Sequence, residues 1–265
     1  MTSPDIVAIV LAGGASARFG SDKLAASLDG RPVLHHALEA VGAVADRIVV
    51  VIPPKAPLPS VPEVLAKRVV FARDAAAFGG PLAGLAAGLA ALAAPVAADT
   101  PVLEEAPHIT AAESGPAATA EAEAEAATAE AEAEAAAAAT ATAERAAEAG
   151  REATARRNRV VLVVGGDMPS LDPAVLRVLA ESLEADPSLA AMTLAASDPA
   201  PLPMAVRPGS ARSAIDAILA SGGRRSLFTL LDTVPSAALP AERWRALDPT
   251  ATTLRDVDRP SDLPG

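Results

Sequence analysis

The chain has 265 residues, 51% of them apolar but only 2% aromatic, so its core has to be built from Val, Leu, Ile and Ala. It contains no cysteine, which excludes disulfides, thiolate metal sites and cysteine nucleophiles and suits a cytoplasmic protein. The net charge is −11, yet residues 97–158 alone hold 13 acids against four bases, so the remainder is close to neutral and offers no basic stripe for nucleic acid. The opening residues, Met1 to Asp5, lack the basic region that begins a signal peptide.

Ile6–Leu11 is a short continuous apolar run that ends at Gly13-Gly14, which predicts a strand buried on both faces and then a tight turn. From Pro32 to Val44, the apolar residues Val33, Leu34, Ala37, Leu38 and Val41 recur at helical spacing. Arg47–Ile52 predicts a second strand, stopped by Pro53-Pro54, and Val69–Phe71 a third. Ala75 to Ala98 carries no charge and is long enough to span a bilayer. Alanine and glycine dominate it and Pro81 and Pro95 interrupt it, so a buried helix from Pro81 to about Leu92 is expected instead of a membrane span. Val160–Val164 predicts another buried strand, ending at Gly165-Gly166-Asp167. Pro173–Leu183 reads as a helix with Asp172 as its N-cap and Pro173 at the first helical position. Strands alternating with helices imply an α/β fold with a doubly wound, mostly parallel, Rossmann-like sheet.

Residues 97–158 break this rhythm. Ala and Glu favour helix, but Glu121, Glu123 and Glu125 recur at period two, so no apolar stripe forms. Glu121 and Glu125, like Glu130 and Glu134, repel one another at i,i+4. A low-complexity acidic insertion, disordered or loosely helical, is expected within a single domain spanning 1–265. Without it about 200 residues remain, a normal domain size. The other reading of the insertion is an interaction tether.

The chemistry concentrates in Leu11-Ala12-Gly13-Gly14-Ala15-Ser16-Ala17-Arg18-Phe19-Gly20-Ser21-Asp22-Lys23, directly after the first strand. Its glycines keep side chains clear, so backbone N–H groups can face a polyphosphate. Arg18 and Lys23 add the positive charge that a leaving pyrophosphate needs. The string is neither G-x-x-x-x-G-K-[ST] nor G-x-G-x-x-G, which excludes two common phosphate loops. The plain alternative is a glycine turn with two surface cations. Asp167 follows the end of a buried strand, on the sheet edge where open α/β folds bind ligands. A carboxylate there suits Mg²⁺. The alternative is an N-cap, a role that Asp172 fills better. Asp258 can supply a second carboxylate, although Asp256 and Asp258 equally suit a turn.

The string LAGG-x-S-x-R-F-G-x-DK resembles the signature loop of the molybdenum-cofactor nucleotidyltransferases. Its glycine pair resembles the guanylyltransferase branch, whereas the cytidylyltransferase branch usually has LAAG. Gly80-Pro81-Leu82-Ala83-Gly84, Gly166-Asp167-Met168-Pro169 and the segment from Asp256 to Leu263 resemble further elements of that family, in the same order. The resemblance implies a Mg²⁺-dependent enzyme that transfers GMP from GTP to the phosphate of molybdopterin and releases pyrophosphate. It implies that Leu11, Ala12, Gly13, Gly14 and Lys23 cradle the nucleotide and that Arg18 and Lys23 meet the triphosphate. It assigns Asp167 and Asp258 to Mg²⁺ and Asp74 to the nucleoside. Pro53 stands where relatives often carry Asn, so a base contact there has to use backbone. Pro201–Val206 and Gly222–Leu227 resemble acceptor-side segments. Arg224 and Arg225 could pair with the acceptor phosphate, but the start of a solvated helix is the reading preferred for them. Two further functions stay open on sequence: a cytidylyl- or sugar-phosphate nucleotidyltransferase with the same loop, and a non-catalytic adaptor that works through the insertion. Neither nucleic acid nor membrane is an expected partner. His35, His36 and His108 have no ligand spacing, and Trp244 is expected in packing.

Overall fold

A computed structural model of the chain describes residues 6–13, 22–74, 80–93, 159–222 and 224–262. Gly14, Arg18 and the 97–158 insertion lie outside the described residues. Seven strands form one sheet: β1 (Ile6–Leu11), β4 (Arg47–Ile52), β5 (Val69–Arg73), β6 (Val160–Gly165), β7 (Ala191–Leu194), β8 (Met204–Val206) and β9 (Ser236–Leu239). Their order is β5-β4-β1-β6-β8-β7-β9. A two-stranded ribbon, β2 (Ser27–Leu28) with β3 (Arg31–Pro32), stands apart from it. β5, β4, β1 and β6 are parallel, β8 runs against both its neighbours, and β9 is parallel to β7. The sheet is therefore the mostly parallel one expected, with Met204–Val206 as its reversed strand.

The continuous apolar strands are explained by burial on both faces. Along β1, Ile6, Ala8 and Val10 face α1 (Val33–Gly42) and α3 (Pro173–Ala185). Val7 and Ile9 face α2 (Gly80–Ala93), α4 (Pro208–Ser221) and α5 (Leu227–Thr233). The charge-free stretch supplies α2, whose Leu82, Leu85 and Leu89 are buried. Its helix lies close on the sheet because Gly88 has no side chain: a Cβ there would come within 2.7 Å of Ile9. Among the described residues no helix is long and apolar enough to cross a membrane. Trp244, in α6 (Ala241–Arg245), is fully buried and its indole N–H donates to the Ala195 carbonyl at 3.1 Å.

The order of strands decides where a ligand can enter. The chain runs from β1 outward through β4 to β5, then returns to the opposite side of β1 as β6. Strand order reverses between β1, which leads outward to β4, and β6, which leads the other way to β7, and a crevice lies at their carboxyl ends. Two hydrogen bonds carry the ladder right to its rim: Ala12 N–H donates to Val51 O at 2.8 Å, and Gly166 N–H to Leu11 O at 3.0 Å.

Candidate active site at the switch point of the sheet

A cavity of about 530 Å³ opens at this rim. Leu11, Ala12, Gly13, Lys23 and Asp167 line one side, and Ile52, Pro53, Pro57, Leu58 and Ser60 the other. Gly13 faces the Pro53 ring across the gap, where a Cβ on it would make only ordinary contact, at 3.9 Å.

Lys23 is held by a local turn. The Asp22 side chain accepts the Leu24 N–H at 3.0 Å, and the Asp22 and Lys23 carbonyls accept the N–H groups of Ala25 and Ala26. The Lys23 ammonium then donates to Asp167 Oδ2 at 2.5 Å and to Asp258 Oδ1 at 3.5 Å. The Lys23 and Asp167 side chains are 17% and 24% exposed, whereas that of Asp258 is 51% exposed. The first contact is thus shielded and the second open to water. Partial burial lowers the lysine's pKa, but the hydrogen bond and charge of Asp167 and the charge of Asp258 outweigh it and leave it raised. The ammonium is charged throughout the neutral range.

Asp167 reaches this position because Gly165 precedes it. Its carboxylate folds back over that glycine so closely that any Cβ on Gly165 would collide with Asp167 Oδ1. The capping role belongs to Asp172, whose side chain accepts the Ala174 N–H at 2.7 Å and the Val175 N–H at 3.4 Å. The C-terminal segment is brought in by backbone: Val257 N–H donates to Asp167 O at 2.8 Å. Val257 itself is buried against Leu28 and Val33. The turn beyond is fixed by Asp262, which accepts the N–H groups of Asp258 and Arg259. As a result Asp167, Asp256 and Asp258 each bring a carboxylate oxygen within 4.8 Å of one another. Burial pushes the Asp256 carboxyl up, and the neighbouring charges of Asp258 and Asp167 push it further.

The candidate residues are therefore divided. Leu11, Ala12, Gly13, Lys23 and Asp167 line one cavity, and Asp258 joins them through Lys23. Asp74 does not enter it. It follows β5, the outermost strand, about 10 Å from β1 at the usual strand spacing, and lines a separate cavity of about 410 Å³ with Arg212, Asp216 and Arg225. Arg224 is exposed. His36 is satisfied locally by Leu28 O, and His35 by Ser60.

Two features, one in a wall of this site and one in the segment that supports it, are not evident in the sequence. The anchoring of the second wall is one. Between Pro53 and Pro62 there are five prolines, which fix φ and stiffen the loop. Arg73 anchors it by donating to the carbonyls of Pro53, Pro54 and Ala56 at 3.2, 2.9 and 2.9 Å. The other is Asp248, buried and engaged with the N–H of Thr253 and the hydroxyls of Thr250 and Thr252. The proline density is a readable signal. The Arg73 and Asp248 contacts depend on folding and have none.

No curated protein matches the chain by sequence. Among solved structures, molybdopterin-guanine dinucleotide biosynthesis protein A from Archaeoglobus fulgidus is similar at 18% identity and a TM-score of 0.59, over 97% of this chain and 94% of that one. The 2-C-methyl-D-erythritol 4-phosphate cytidylyltransferase from Thermus thermophilus is similar at 15% identity and a TM-score of 0.53, over 96% and 94%. At these identities the likeness speaks to the fold alone. The family model described as the MobA-like NTP transferase domain matches residues 8–234, from within β1 to the end of α5. That stretch contains both strand ends that frame the crevice, so the chain belongs to the MobA-like NTP transferase family of nucleotidyltransferases.

Proposed function

We propose that this nucleotidyltransferase is a Mg²⁺-dependent guanylyltransferase that moves GMP from GTP to the phosphate of molybdopterin, in the cytoplasm. The observation that carries the reading is the meeting of Lys23, Asp167 and Asp258 at the crevice between β1 and β6. The donor set fits the metal: three carboxylates, all hard oxygen donors, with their oxygens close together. Bound there, Mg²⁺ supplies positive charge to the phosphate oxygens as the α-phosphorus is attacked.

The remaining work belongs to the chain's own residues. An oxygen of the acceptor phosphate forms a bond to the α-phosphorus while the bond from that phosphorus to the bridging oxygen breaks, and pyrophosphate departs with the electron pair. The attacking oxygen is already anionic, so no general base is required. Catalysis is then positioning and charge neutralisation. Lys23 and Arg18 are assigned to the triphosphate, and Leu11, Ala12, Gly13 and Gly14 to its backbone cradle. The base lies along the stiff Pro53–Ser60 wall, where Pro53 leaves only backbone for recognition. Asp74, in its separate cavity, is left out of this arrangement.

The guanylyl assignment rests on Gly13-Gly14, in place of the LAAG pattern, and on the Archaeoglobus fulgidus protein, whose name concerns molybdopterin-guanine dinucleotide. The Thermus thermophilus enzyme, named a cytidylyltransferase, shares the fold and favours a second reading with CTP. Pyrophosphate release measured with each of the four nucleoside triphosphates, with and without molybdopterin, separates them. Release that needs both GTP and molybdopterin is expected, whereas release with CTP and none with GTP would reject the guanylyl assignment. The insertion 97–158 is proposed to be dispensable. Replacing it with a short Gly/Ser linker should leave turnover in place, and an adaptor working through it would instead lose its partner.

A further inference from the structure

The lysine assigned to the triphosphate and the carboxylates assigned to the metal occupy the same ground. Lys23 Nζ sits 2.5 Å from Asp167 Oδ2 and 3.5 Å from Asp258 Oδ1. These carboxylates, with Asp256, are the set whose oxygens converge within 4.8 Å. A small divalent cation binds carboxylate oxygens at about 2.1 Å, so it cannot take Asp167 Oδ2 while the ammonium remains on that atom. Three negative groups so close repel one another, and among the described residues Lys23 is the cation that touches two of them.

We infer that Lys23 is a removable counter-ion that shuts the metal site until nucleotide arrives. Without nucleotide the ammonium holds Asp167 and Asp258 together and competes with any free divalent cation. A metal-bound triphosphate offers both exchanges at once: its phosphate oxygens replace Asp167 as the lysine's partner, and its metal replaces the lysine between the carboxylates. The move needs no backbone change. Lys23 lines the cavity itself, and a flexible four-carbon stem carries its charge. Metal and nucleotide therefore bind cooperatively, each strengthening the other by the same factor. The inference rests on the metal reading above and goes further, because it gives one lysine two successive partners and the site a preference for metal already carried by nucleotide.

The test uses the full chain and Mn²⁺, followed by the paramagnetic resonance signal of the free ion, with no nucleotide present. Lys23→Met is expected to bind Mn²⁺ more tightly than the parent protein, by about 5- to 150-fold, the usual range of coupling between two sites. Lys23→Arg keeps a cation on the carboxylates and is expected to stay near the parent, which a merely structural role for the side chain would not produce. Circular dichroism confirms that both variants fold. Equal or weaker Mn²⁺ binding by a folded Lys23→Met overturns the inference. A separate measurement guards the underlying reading: equilibrium dialysis of labelled GTP with the parent protein, with and without Mn²⁺. If Mn²⁺ leaves GTP binding unchanged there, the metal reading itself fails and the inference with it.

Discussion

The backbone amide of Val257 donates to the carbonyl oxygen of Asp167 across 2.8 Å, tying the end of the chain to the residue at the tip of β6. Because the tie is made by backbone, the side chains on either side of Val257 are free to face Lys23 and Asp167. The two outer carboxylates are unequal. Asp167 makes the short, shielded contact with Lys23, and Asp258 the long, exposed one. Asp167→Asn should lower the rate of pyrophosphate release by about 10² to 10³, the range for losing one well-placed electrostatic group. Asp258→Asn should cost about tenfold on the same scale. Neither should change the unfolding free energy by more than about 1 kcal/mol, since partly exposed ion pairs contribute little to stability. Initial rates and urea melts on the same preparations check both. Equal losses, or an unfolded Asp167→Asn, would contradict the ranking.

Gly165 is the residue over which the Asp167 carboxylate lies. Alanine at 165 would collide with Asp167 Oδ1 and come within 3.2 Å of Met168 Cγ, while Met168 is buried and cannot yield freely. The carboxylate is the part that moves. A shift of about 1 Å in a positioning group costs about 10²-fold in rate, so Gly165→Ala should resemble Asp167→Asn in turnover while keeping every charged residue of the site. Turnover at the parent level would mean that the bare backbone of Gly165 does not set the position of the carboxylate.

Much of this arrangement is readable before folding is considered. Ile6–Leu11, Arg47–Ile52 and Val160–Val164 announce buried parallel strands because both faces are covered and the apolar run is unbroken. The Asp172-Pro173 pair announces the start of α3 by its capping chemistry, and the structure keeps both roles. The last part of the sheet is harder. Ala191–Leu194, Met204–Val206 and Ser236–Leu239 have three or four residues each, too short for a period to declare itself, and nothing in Met204–Val206 itself marks β8 as the strand that runs against its neighbours. The site divides in the same way. Lys23 ends the glycine-rich string and Asp167 follows Gly165-Gly166, so both can be found from sequence. The hold of Val257 on Asp167 is a backbone bond with no residue preference, and Asp74 goes elsewhere because strand order, not sequence spacing, sets its distance from β1.

Arg73 tests whether the proline wall is part of the binding site. Its guanidinium satisfies three loop carbonyls, so its removal frees a wall without touching the reacting end of the cavity. Arg73→Ala should raise the KM for nucleotide by about tenfold, the equivalent of one charge-assisted hydrogen bond, and leave kcat within about twofold, as expected for binding shared by ground and transition states. Steady-state kinetics with varied nucleotide decides it. A fall in kcat at unchanged KM would assign the loop to the chemistry instead of to the base.

Asp248 links stability to pH. Burial pushes its carboxyl up, but the N–H groups of Thr253 and Thr252 and the threonine hydroxyls outweigh that and hold it below the usual carboxylate value. Thr253 in turn accepts the Asp172 N–H at 3.1 Å, so the network braces the segment that leads to Asp256 and Asp258. A carboxyl lowered by folding binds its proton less readily in the folded state than in the unfolded one. Its contribution is therefore present in full above the unfolded pKa of about 3.9 and is lost as pH falls through the folded value. Asp248→Asn should destabilise the protein by about 1 to 3 kcal/mol at neutral pH, the cost of leaving a buried partner unsatisfied. The gap between parent and variant should narrow as pH drops below about 4, because protonation weakens the parent's acceptor while the amide does not titrate. Urea midpoints recorded from pH 7 to pH 3 follow that gap. A gap that stays constant across the range would mean that Asp248 acts by shape alone and that its charge does not brace the segment.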